Sequence, residues 1–418
     1  MQTQTAEKIA TPTEPATTLC WHLITCEYPP QAGGVSDYTE GVAAGLASAG
    51  DEVHVWGPQK AWRPEKGAGE PRPIPGVVVH RDLGAVTPAD LANVGRELDA
   101  FPAPRRILVQ WVPHGYGRRS MNVPFCWWLW NRAKRHGDKV EIMVHEPFLR
   151  FSGRSPRQSA AALVHRFMMI LLLQAADRVW LSIPAWEDFC RPYALGRRIR
   201  FQWLPIPNNI PVARNSSAIH EIRGKYACDD FLIGHFGTYS TLITGLLEPI
   251  LVALGEHPLQ PAVLLAGMRS ETFRDELIGR HPQLEARIHA TGELAPEQLS
   301  WHLAACDLLL QPYPDGVSSR RTSVMAGLSH GKPVVTTSGA LTEDFWKLSG
   351  AVAIAPAQDT GEFVRLVREL RGNARERERL GAQAKRVYDE RFAIERIIES
   401  LRGPSDEALA PGVTKAST

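Results

Sequence analysis

The sequence lacks paired cysteines, an excess of charge of either sign and an apolar leader. Its six cysteines lie far apart, and none has the C-x-x-C spacing of a zinc site or a redox pair. Lys and Arg number 47 against 45 Asp and Glu, and this net charge of +2 argues against a dedicated nucleic-acid binder. The first 18 residues are polar and lack the apolar core of a signal peptide. We therefore expect a reduced, cytoplasmic protein with no metal site and no nucleic-acid partner.

The chain does have enough apolar surface and length for more than one folded domain. It contains 418 residues, of which 44% are hydrophobic and 22% charged, as in typical globular proteins. Its most apolar run, residues 167–176, contains Gln174 and is too short to cross a bilayer. Residues 1–18 and 403–418 are predicted to be disordered tails.

Short apolar runs alternate with longer amphipathic ones along most of the chain, which is typical of parallel α/β layers. Thirteen runs are predicted as strands, at 21–25, 52–56, 77–80, 107–111, 139–144, 178–182, 200–204, 231–236, 262–266, 288–291, 308–311, 333–336 and 351–354. Two charged helices are predicted at about 360–371 and 374–400. The proline-rich segment LPIPNNIPV, at 204–212, cannot continue a helix or a central strand. We predict an N-terminal domain at 19–205, a linker at 206–220 and a C-terminal domain at 221–385, with a ligand cleft between the two domains.

A glycine pair follows the first predicted strand and precedes a helix. Free N–H groups and the helix dipole make such a helix start a binding site for anions. Gly33 and Gly34 would let the backbone approach a phosphate closely, and Ser36 is the predicted N-cap. The alternative is a plain tight turn.

A second charged turn follows the predicted strand that ends at Gln311. Asp315 would lie at the mouth of the cleft, where a carboxylate can accept hydrogen bonds from sugar hydroxyls. Arg320 and Arg321 are predicted in the first turn of a helix that begins near Ser319, where they oppose the helix dipole. A diphosphate would give these arginines a function, and the alternative is a solvated charged turn.

The order of motifs resembles the retaining glycosyltransferases of the GT-B fold, specifically glycosyltransferase family 4, over about residues 20–402. The resemblance rests on PPQAGGVSDYTEGVAAGLASAGDEVHVWG, VQWVPHGYG, MVHEPF, HFGTYSTLITG, LLAG, TGEL, CDLLLQPYPDGVSSRRTSVMAGLSHGKPVVTT and TSGALTEDF. It implies two Rossmann-like parallel-sheet domains that face a central cleft, with a C-terminal helix at 386–402 packed back towards the first domain. It also implies sugar transfer from a nucleotide-sugar donor to a sugar, glycan or lipid-linked acceptor, in bacterial polysaccharide or glycoconjugate synthesis.

The resemblance also assigns roles to residues of the first half. Gly33 and Gly34 correspond to the family's donor-phosphate loop, and His145 to its active-site histidine near the reacting carbon. His114 and Glu146 would line the acceptor side. For both histidines a purely structural role is the alternative.

In the second half the sequence departs from the family pattern. Asp315 and Ser323 stand where the family has two glutamates, which hold the donor sugar and the nucleotide ribose. Thr238 and Thr244 stand where the family has the arginine and lysine that clamp the diphosphate. Replacement charge would come from three arginines, at Arg269, Arg320 and Arg321. The chain contains no D-x-D triplet, which favours metal-independent chemistry without a cofactor.

Residues 124–139 combine three tryptophans with basic residues, a composition that can contact an anionic membrane surface. The alternative is a helix that packs Cys126, Trp127 and Trp130 into the core. Two other functions stay open at this point. One is a non-catalytic GT-B protein that binds a sugar or a partner, and the other is a GT-B-like epimerase or phosphorylase.

Overall fold

The structure is a computed structural model, and it describes residues 18–58, 73–117, 120–227, 230–256 and 261–403. The predicted tails, apart from Thr18 and Gly403, lie outside the described residues. The five described cysteines are all free thiols.

The N-terminal domain contains a parallel sheet of seven strands in the order β3-β2-β1-β4-β5-β6-β7. Its strands are β1 Cys20–Ile24, β2 Glu52–Trp56, β3 Val77–His80, β4 Arg106–Trp111, β5 Lys139–Val144, β6 Arg178–Leu181 and β7 Arg200–Trp203. Its helices are α1 Gly34–Ser48, α2 Pro88–Leu98, α3 Val123–Asn131, α4 Pro156–Ala175 and α5 Trp186–Cys190. Most strand residues are buried because helices cover both faces, which explains the continuous apolar runs in the sequence.

The C-terminal domain repeats this architecture with six parallel strands in the order β10-β9-β8-β11-β12-β13. Its strands are β8 Leu232–Phe236, β9 Ala262–Ala266, β10 Ile288–Ala290, β11 Leu308–Gln311, β12 Val334–Ser338 and β13 Ala353–Pro356. The helices from the linker onward are α6 Ser216–Tyr226, α7 Thr241–Gly255, α8 Ser270–Arg280, α9 Pro296–Ala305, α10 Thr322–Ser329, α11 Asp344–Ser349, α12 Thr360–Gly372, α13 Ala374–Val387 and α14 Ile394–Arg402. The predicted fold, two Rossmann-like parallel-sheet domains that face a cleft, is confirmed.

Each of the thirteen predicted strands is present, with ends that differ by at most two residues. The helix predicted at 374–400 is divided, because a π-helical turn at Tyr388–Phe392 and the extended residue Ala393 separate α13 from α14. Phe392 is fully buried and stacks on Trp346, which fixes the bend. Helix α1 begins at Gly34 with Gly33 as its N-cap, so Ser36 lies inside the helix and is not the cap.

After the bend, α14 packs against α1 of the N-terminal domain. Ile397, Ile398 and Leu401 are buried in the same apolar cluster as Val42 of α1. A Cβ at Gly45 would lie 2.6 Å from the Ile398 side chain, so glycine permits the close approach of the two helices. Helix α14 therefore ties the two domains together.

Helix α4 has 20 residues and is long and apolar enough to cross a membrane, which the shorter apolar run did not indicate. Met168, Met169 and Leu172 of this helix are buried in the core of the N-terminal domain. A core helix passes the same test of length and composition.

The tryptophan-rich segment has both a buried and an exposed side. Cys126 is fully buried and Trp130 packs partly against the core, whereas Trp127 is 53% exposed. The alternative of a core-packed helix therefore holds for Cys126 and in part for Trp130, but it does not hold for Trp127.

Candidate functional site

The cleft lies where the carboxyl ends of the two sheets face each other. In each sheet the strand order reverses between the first and fourth strands, β1 and β4 or β8 and β11. The loops that leave such neighbouring strands in opposite directions open a crevice, which is the usual ligand site of α/β sheets. The loops after β1, β8 and β11 all contribute residues to the cleft wall.

The cleft encloses about 1260 Å³ and is lined by both domains. Its charged or polar walls contain Glu146 and Arg150 from the first domain and Asp315, Arg320 and Arg321 from the second. This volume exceeds that of common small-ligand pockets, roughly 300–1,000 Å³, so a large ligand fits.

A second cavity of about 1250 Å³ lies between α1, α14 and the linker. Four carboxylates and one arginine line it, namely Asp37, Glu40, Glu395, Glu399 and Arg402. Burial raises the pKa of Asp37 and of Glu40. Because this wall is mainly acidic, the cleft is the better place for an anionic ligand.

The predicted anion site at the start of α1 is filled by a carboxylate of the chain itself. Glu27 Oε1 accepts hydrogen bonds from the backbone N–H groups of Val35 and Ser36, at 2.9 and 3.0 Å. Gly33 and Gly34 do line the cleft. However, a Cβ at Gly33 would overlap the Glu27 carboxylate, so this glycine makes room for the internal cap.

Arg320 and Arg321 form one ion-pair network with Asp315, and Arg320 extends it across the cleft. Arg320 donates to Asp315 Oδ2 at 2.7 Å and to Glu146 Oε1 of the first domain at 3.2 Å, while Arg321 donates to Asp315 Oδ1. The Nε atoms of both arginines are buried and have no hydrogen-bond partner among the described residues. The network thus holds two cations that line the cleft, and each has more N–H groups than its carboxylate partners accept.

The arginines precede helix α10, which begins at Thr322, and so do not lie in its first turn as predicted. Arg321 is the N-cap residue with an extended backbone, so its guanidinium projects from the loop. It lies over the ring of Tyr313 at 4.6 Å. This cation–π contact helps to orient Arg321 towards the cleft.

Ser323 lines the cleft, and its hydroxyl is already paired. Tyr313 Oη lies 2.7 Å from Ser323 Oγ and donates to Gln311 Oε1 at 3.1 Å. Burial raises the pKa of Tyr313 to about 12, so this phenol stays neutral. A ribose at Ser323 would join an existing hydrogen-bond chain.

His145 follows β5 directly and lies half-buried behind the cleft wall. Its Nε2 is 2.9 Å from Gln110 Oε1, and its ring meets Tyr38 edge-on at 5.0 Å. Burial lowers the pKa of His145 to about 3. The imidazole is therefore neutral near pH 7 and can act there only through hydrogen bonding, not as a cation.

The loop after β8 brings the start of α7 to the cleft. Ser240, the N-cap, makes no capping hydrogen bond with its side chain, and Ser240, Leu242 and Ile243 line the cleft. The backbone oxygen of Ser240 already accepts the N–H of Ile243, so the first-turn N–H groups left for a ligand are those of Thr241 and Leu242. Thr238 lines the cleft and is exposed, so a neutral hydroxyl occupies the position of the expected cation.

Besides His145, three predicted residues are not among those that line the cleft. His114 is exposed in a turn beyond β4, which ends at Trp111. Arg269 is exposed at the start of α8, with a left-handed φ of 69°. Thr244 bonds back to Thr241 O within the first turn of α7.

The domains also meet at a buried junction behind the arginines. Ser319 Oγ donates to Ser182 O of the first domain at 2.8 Å and accepts from Trp203 Nε1 at 2.9 Å. The backbone N–H of Ser319 donates to Glu343 Oε1 at 2.9 Å, and the Ser319 hydroxyl contacts the same oxygen. Burial raises the pKa of Glu343. This junction fixes the loop that carries Arg320.

Several residues that shape the cleft were not predicted from the sequence. Glu27 caps α1 from a loop, Arg150 adds a cation to the wall, and buried His235 faces the cleft. The Nδ1 of His235 has no hydrogen-bond partner in the described part of the chain, and burial lowers its pKa to about 3. Two of them had a signal in the sequence: Arg150 lies in a basic segment next to MVHEPF, and His235 begins the motif HFGTYSTLITG.

No protein-family model matches this sequence, and no curated protein matches it either. Solved structures do match over nearly the whole chain. Sucrose-phosphate synthase from Thermosynechococcus elongatus is 16% identical, with a TM-score of 0.68 over 92% of this chain and 97% of that chain. HepE from Anabaena, solved with UDP-glucose, is 17% identical, with a TM-score of 0.60 over 91% and 97%.

WaaG, a glycosyltransferase of lipopolysaccharide biosynthesis, is 14% identical, with a TM-score of 0.62 over 91% of this chain and 98% of that chain. At such low identity the similarity establishes the architecture alone. Two Rossmann-like domains with seven and six parallel strands, matched over this extent, give the chain the GT-B fold.

Proposed function

We propose that the protein is a glycosyltransferase that moves a sugar from a nucleotide-sugar donor to an acceptor hydroxyl with retention of configuration. The observation that carries the proposal is the pair of arginines that line the cleft, Arg320 and Arg321, which have more N–H donors than their carboxylate partners accept. The GT-B fold supports it, as does HepE, which was solved with UDP-glucose. The class is a retaining hexosyl or glycosyl transferase of the family 4 type.

In this proposal the donor diphosphate binds between Arg320, Arg321 and the start of α7. The arginines supply the charge that Thr238 and Thr244 do not. The first-turn N–H groups at Ser240 supply further donors and a favourable helix dipole. These groups would stabilise the negative charge that grows on the leaving diphosphate during transfer.

Asp315 would change partners when the donor binds. Without a ligand, the charges of the two arginines are balanced by Asp315 and Glu146. A diphosphate that draws the guanidinium groups to itself would free Asp315 to accept hydrogen bonds from the donor-sugar hydroxyls. Neutral His145 and Glu146 would lie near the reacting carbon and the acceptor. Transfer is proposed to need neither a metal nor a cofactor.

The acceptor is proposed to be a sugar, a glycan or a lipid-linked glycan, in bacterial polysaccharide or glycoconjugate assembly. The protein would be cytoplasmic, with peripheral contact to the inner face of the membrane. Four apolar side chains near the basic segment support this contact, and each is at least half exposed: Trp127, Phe151, Leu163 and Phe167. Exposed apolar groups beside basic residues suit an anionic lipid surface.

A non-catalytic GT-B protein that binds a sugar or a partner is the second candidate. Two observations favour it: neutral Thr238 in the place of a cation, and the pairing of both arginines with carboxylates. In that case the ion-pair network would hold the domains together, and a nucleotide would bind weakly or not at all.

A thermal-shift panel with UDP, GDP, ADP, TDP and CMP, each with and without Mg²⁺, tests the proposal. A ligand at a hundred times its Kd stabilises the fold by about 2.7 kcal/mol, which gives a shift of a few degrees. We expect one nucleotide to stand out without Mg²⁺, and incubation with its sugar conjugate and an acceptor to yield a glycoside. Absence of any shift would favour the non-catalytic protein, and turnover of the donor alone would favour an epimerase.

A further inference from the structure

A cluster of metal-ligating side chains lies on one face of β1, β2 and β3, away from the cleft. Strand pairing places Cys20 opposite Glu52 and His22 opposite His54. Alternate residues of a strand share one face of a sheet, so these four side chains lie on the same side. Cys20 and Glu52 are the first residues of their strands, whereas the cleft lies at the carboxyl ends.

Three of these residues bring their donor atoms together. Cys20 Sγ, a carboxylate oxygen of Glu52 and a ring nitrogen of His54 all lie within 4.8 Å of one another. His54 Nε2 and Glu52 Oε1 are 2.9 Å apart. Donor atoms around a tetrahedral zinc ion, with bonds of about 2.0–2.3 Å, stand roughly 3–4 Å apart. Small side-chain rotations would therefore complete such a geometry.

The two ring nitrogens of His54 both have a partner in the metal-free structure. Its Nε2 faces the Glu52 carboxylate at 2.9 Å and carries the proton there, because a carboxylate only accepts. Its Nδ1 lies 3.0 Å from His80 Nε2, so the proton can move to Nδ1 and be donated to His80 when a metal takes the Nε2 lone pair. His80 Nδ1 in turn lies 3.9 Å from Glu97. A metal-ligating histidine almost always donates its second N–H to such an acceptor, which orients the ring and raises its basicity.

His22 has a different role in the cluster. Trp56 Nε1 donates to His22 Nδ1 at 3.3 Å, which places the His22 proton on Nε2. That Nε2–H lies 3.9 Å from Cys20 Sγ and can donate to a thiolate. His22 is therefore a positioning residue and not a fourth ligand.

We propose that Cys20, Glu52 and His54 form a binding site for a zinc-class divalent ion, with water in the fourth position. A thiolate, an imidazole and a carboxylate are a ligand set that zinc prefers over Mg²⁺ or Ca²⁺. The side chain of Glu52 is 57% exposed, which gives the ion a path from solvent. Binding forms the metal–sulfur bond and releases the thiol proton of Cys20 to water.

The ion would join β1 to β2 at the end of the sheet opposite the cleft. It would stabilise the N-terminal domain without touching the transfer site, so the proposed metal-free transfer is unaffected. The C-x-x-C criterion did not reveal the site because it contains one cysteine, Cys20, which is 32 residues from Glu52 and 34 from His54.

Titration of the tag-free, full-length protein with Co²⁺ tests this site directly. We expect one Co²⁺ per chain, a sulfur-to-cobalt charge-transfer band in the near ultraviolet, and competition by Zn²⁺. C20S should abolish the band, while C26S should keep it. E52Q changes an exposed side chain and should leave unfolding of the metal-free protein unchanged, yet weaken Co²⁺ binding roughly tenfold or more.

Two further variants test whether Co²⁺ binding depends on the histidine next to the site and not on any histidine of the protein. H80F should weaken Co²⁺ binding about 10- to 100-fold, because it removes the acceptor of the His54 N–H. H281Q alters a comparable histidine–carboxylate pair, His281 with Glu248, and should leave the affinity for Co²⁺ unchanged. The proposal is overturned if the wild-type protein shows no charge-transfer band or if C20S retains it. Loss of binding in D82N instead would place the ion at the oxygen-rich group of His80, Asp82 and Glu97.

Discussion

Replacement of Gly33 by alanine is expected to destabilise the protein through Glu27 alone. The backbone of Gly33 is extended, with φ of 171°, so alanine adopts it without strain. The added Cβ would overlap the Glu27 carboxylate and force it off the N–H groups of Val35 and Ser36. Hydrogen bonds to charged groups contribute roughly 1.5–3 kcal/mol, and because Glu27 is half-exposed we expect a loss of about 2 kcal/mol.

A double-mutant cycle isolates this mechanism. In a Glu27→Ala background the carboxylate is already absent, so Gly33→Ala should lower the free energy of unfolding by less than about 0.5 kcal/mol further. The coupling free energy between the two substitutions should then be about 1.5–2 kcal/mol. Gly34→Ala is the matched control, because a Cβ there meets no atom within 4 Å. Gly34 is the first residue of α1, so alanine should be neutral or stabilising by up to about 1 kcal/mol.

Thermal unfolding of the four variants of the cycle and of the control measures these effects. A loss of about 2 kcal/mol corresponds to a fall in Tm of roughly 2–5 °C, the larger value if the N-terminal domain unfolds separately. If Gly33→Ala is as harmless as Gly34→Ala, the added Cβ does not displace Glu27. If Gly33→Ala costs the same with and without Glu27, the clash does not lie at the carboxylate.

Three other perturbations follow from the cleft and the domain junction. Arg320→Ala and Arg321→Ala should each weaken binding of the stabilising nucleoside diphosphate about tenfold or more, since each removes charge-assisted donors worth roughly 1.5–3 kcal/mol. Arg365→Ala, at an exposed arginine, is the control. Unchanged affinity in both cleft variants would contradict a role of these arginines in diphosphate binding. His235 has a folded pKa of about 3 against 6.5 for an ordinary histidine, so the unfolded chain binds the extra proton and stability is lost as the pH falls below about 6.5. Between about pH 6 and 4, His235→Gln should therefore lose about 1.4 kcal/mol less stability per pH unit than the wild-type protein. Identical pH profiles of Tm for the two proteins would exclude this effect. Glu343→Gln should lower the free energy of unfolding by less than about 1 kcal/mol, because burial favours the neutral acid. Glu343→Ala should lower it by about 2–4 kcal/mol, because Ser319 and Trp346 lose their hydrogen-bond partner. Equal losses of stability in the two variants would disprove this.

Much of the cleft was predictable because its position follows from the order of the elements. Alternating apolar runs predicted thirteen strands. A parallel sheet places the loops that follow its strands at its carboxyl edge, which holds for the loop after β1 in the first sheet and for the loops after β8 and β11 in the second. Gly33, Asp315 and Arg320 lie in or beside these loops, and the structure brings all three to the cleft. His114 and Arg269 were misplaced because the course of a turn, and thus the direction of a side chain, depends on packing with other segments.

The two-domain α/β architecture and the loops that form the cleft were predictable from the amino-acid sequence, because hydrophobic periodicity and strand order act along the chain. Contacts between distant segments became apparent only in the folded protein. Glu27 reaches the start of α1 from a loop, Arg320 pairs with Glu146 across 174 residues, and Cys20 meets His54 through strand pairing. Each of these contacts depends on distances in space that no local pattern encodes. The charges and ligands of the candidate sites were therefore visible in the sequence, but their partners were not.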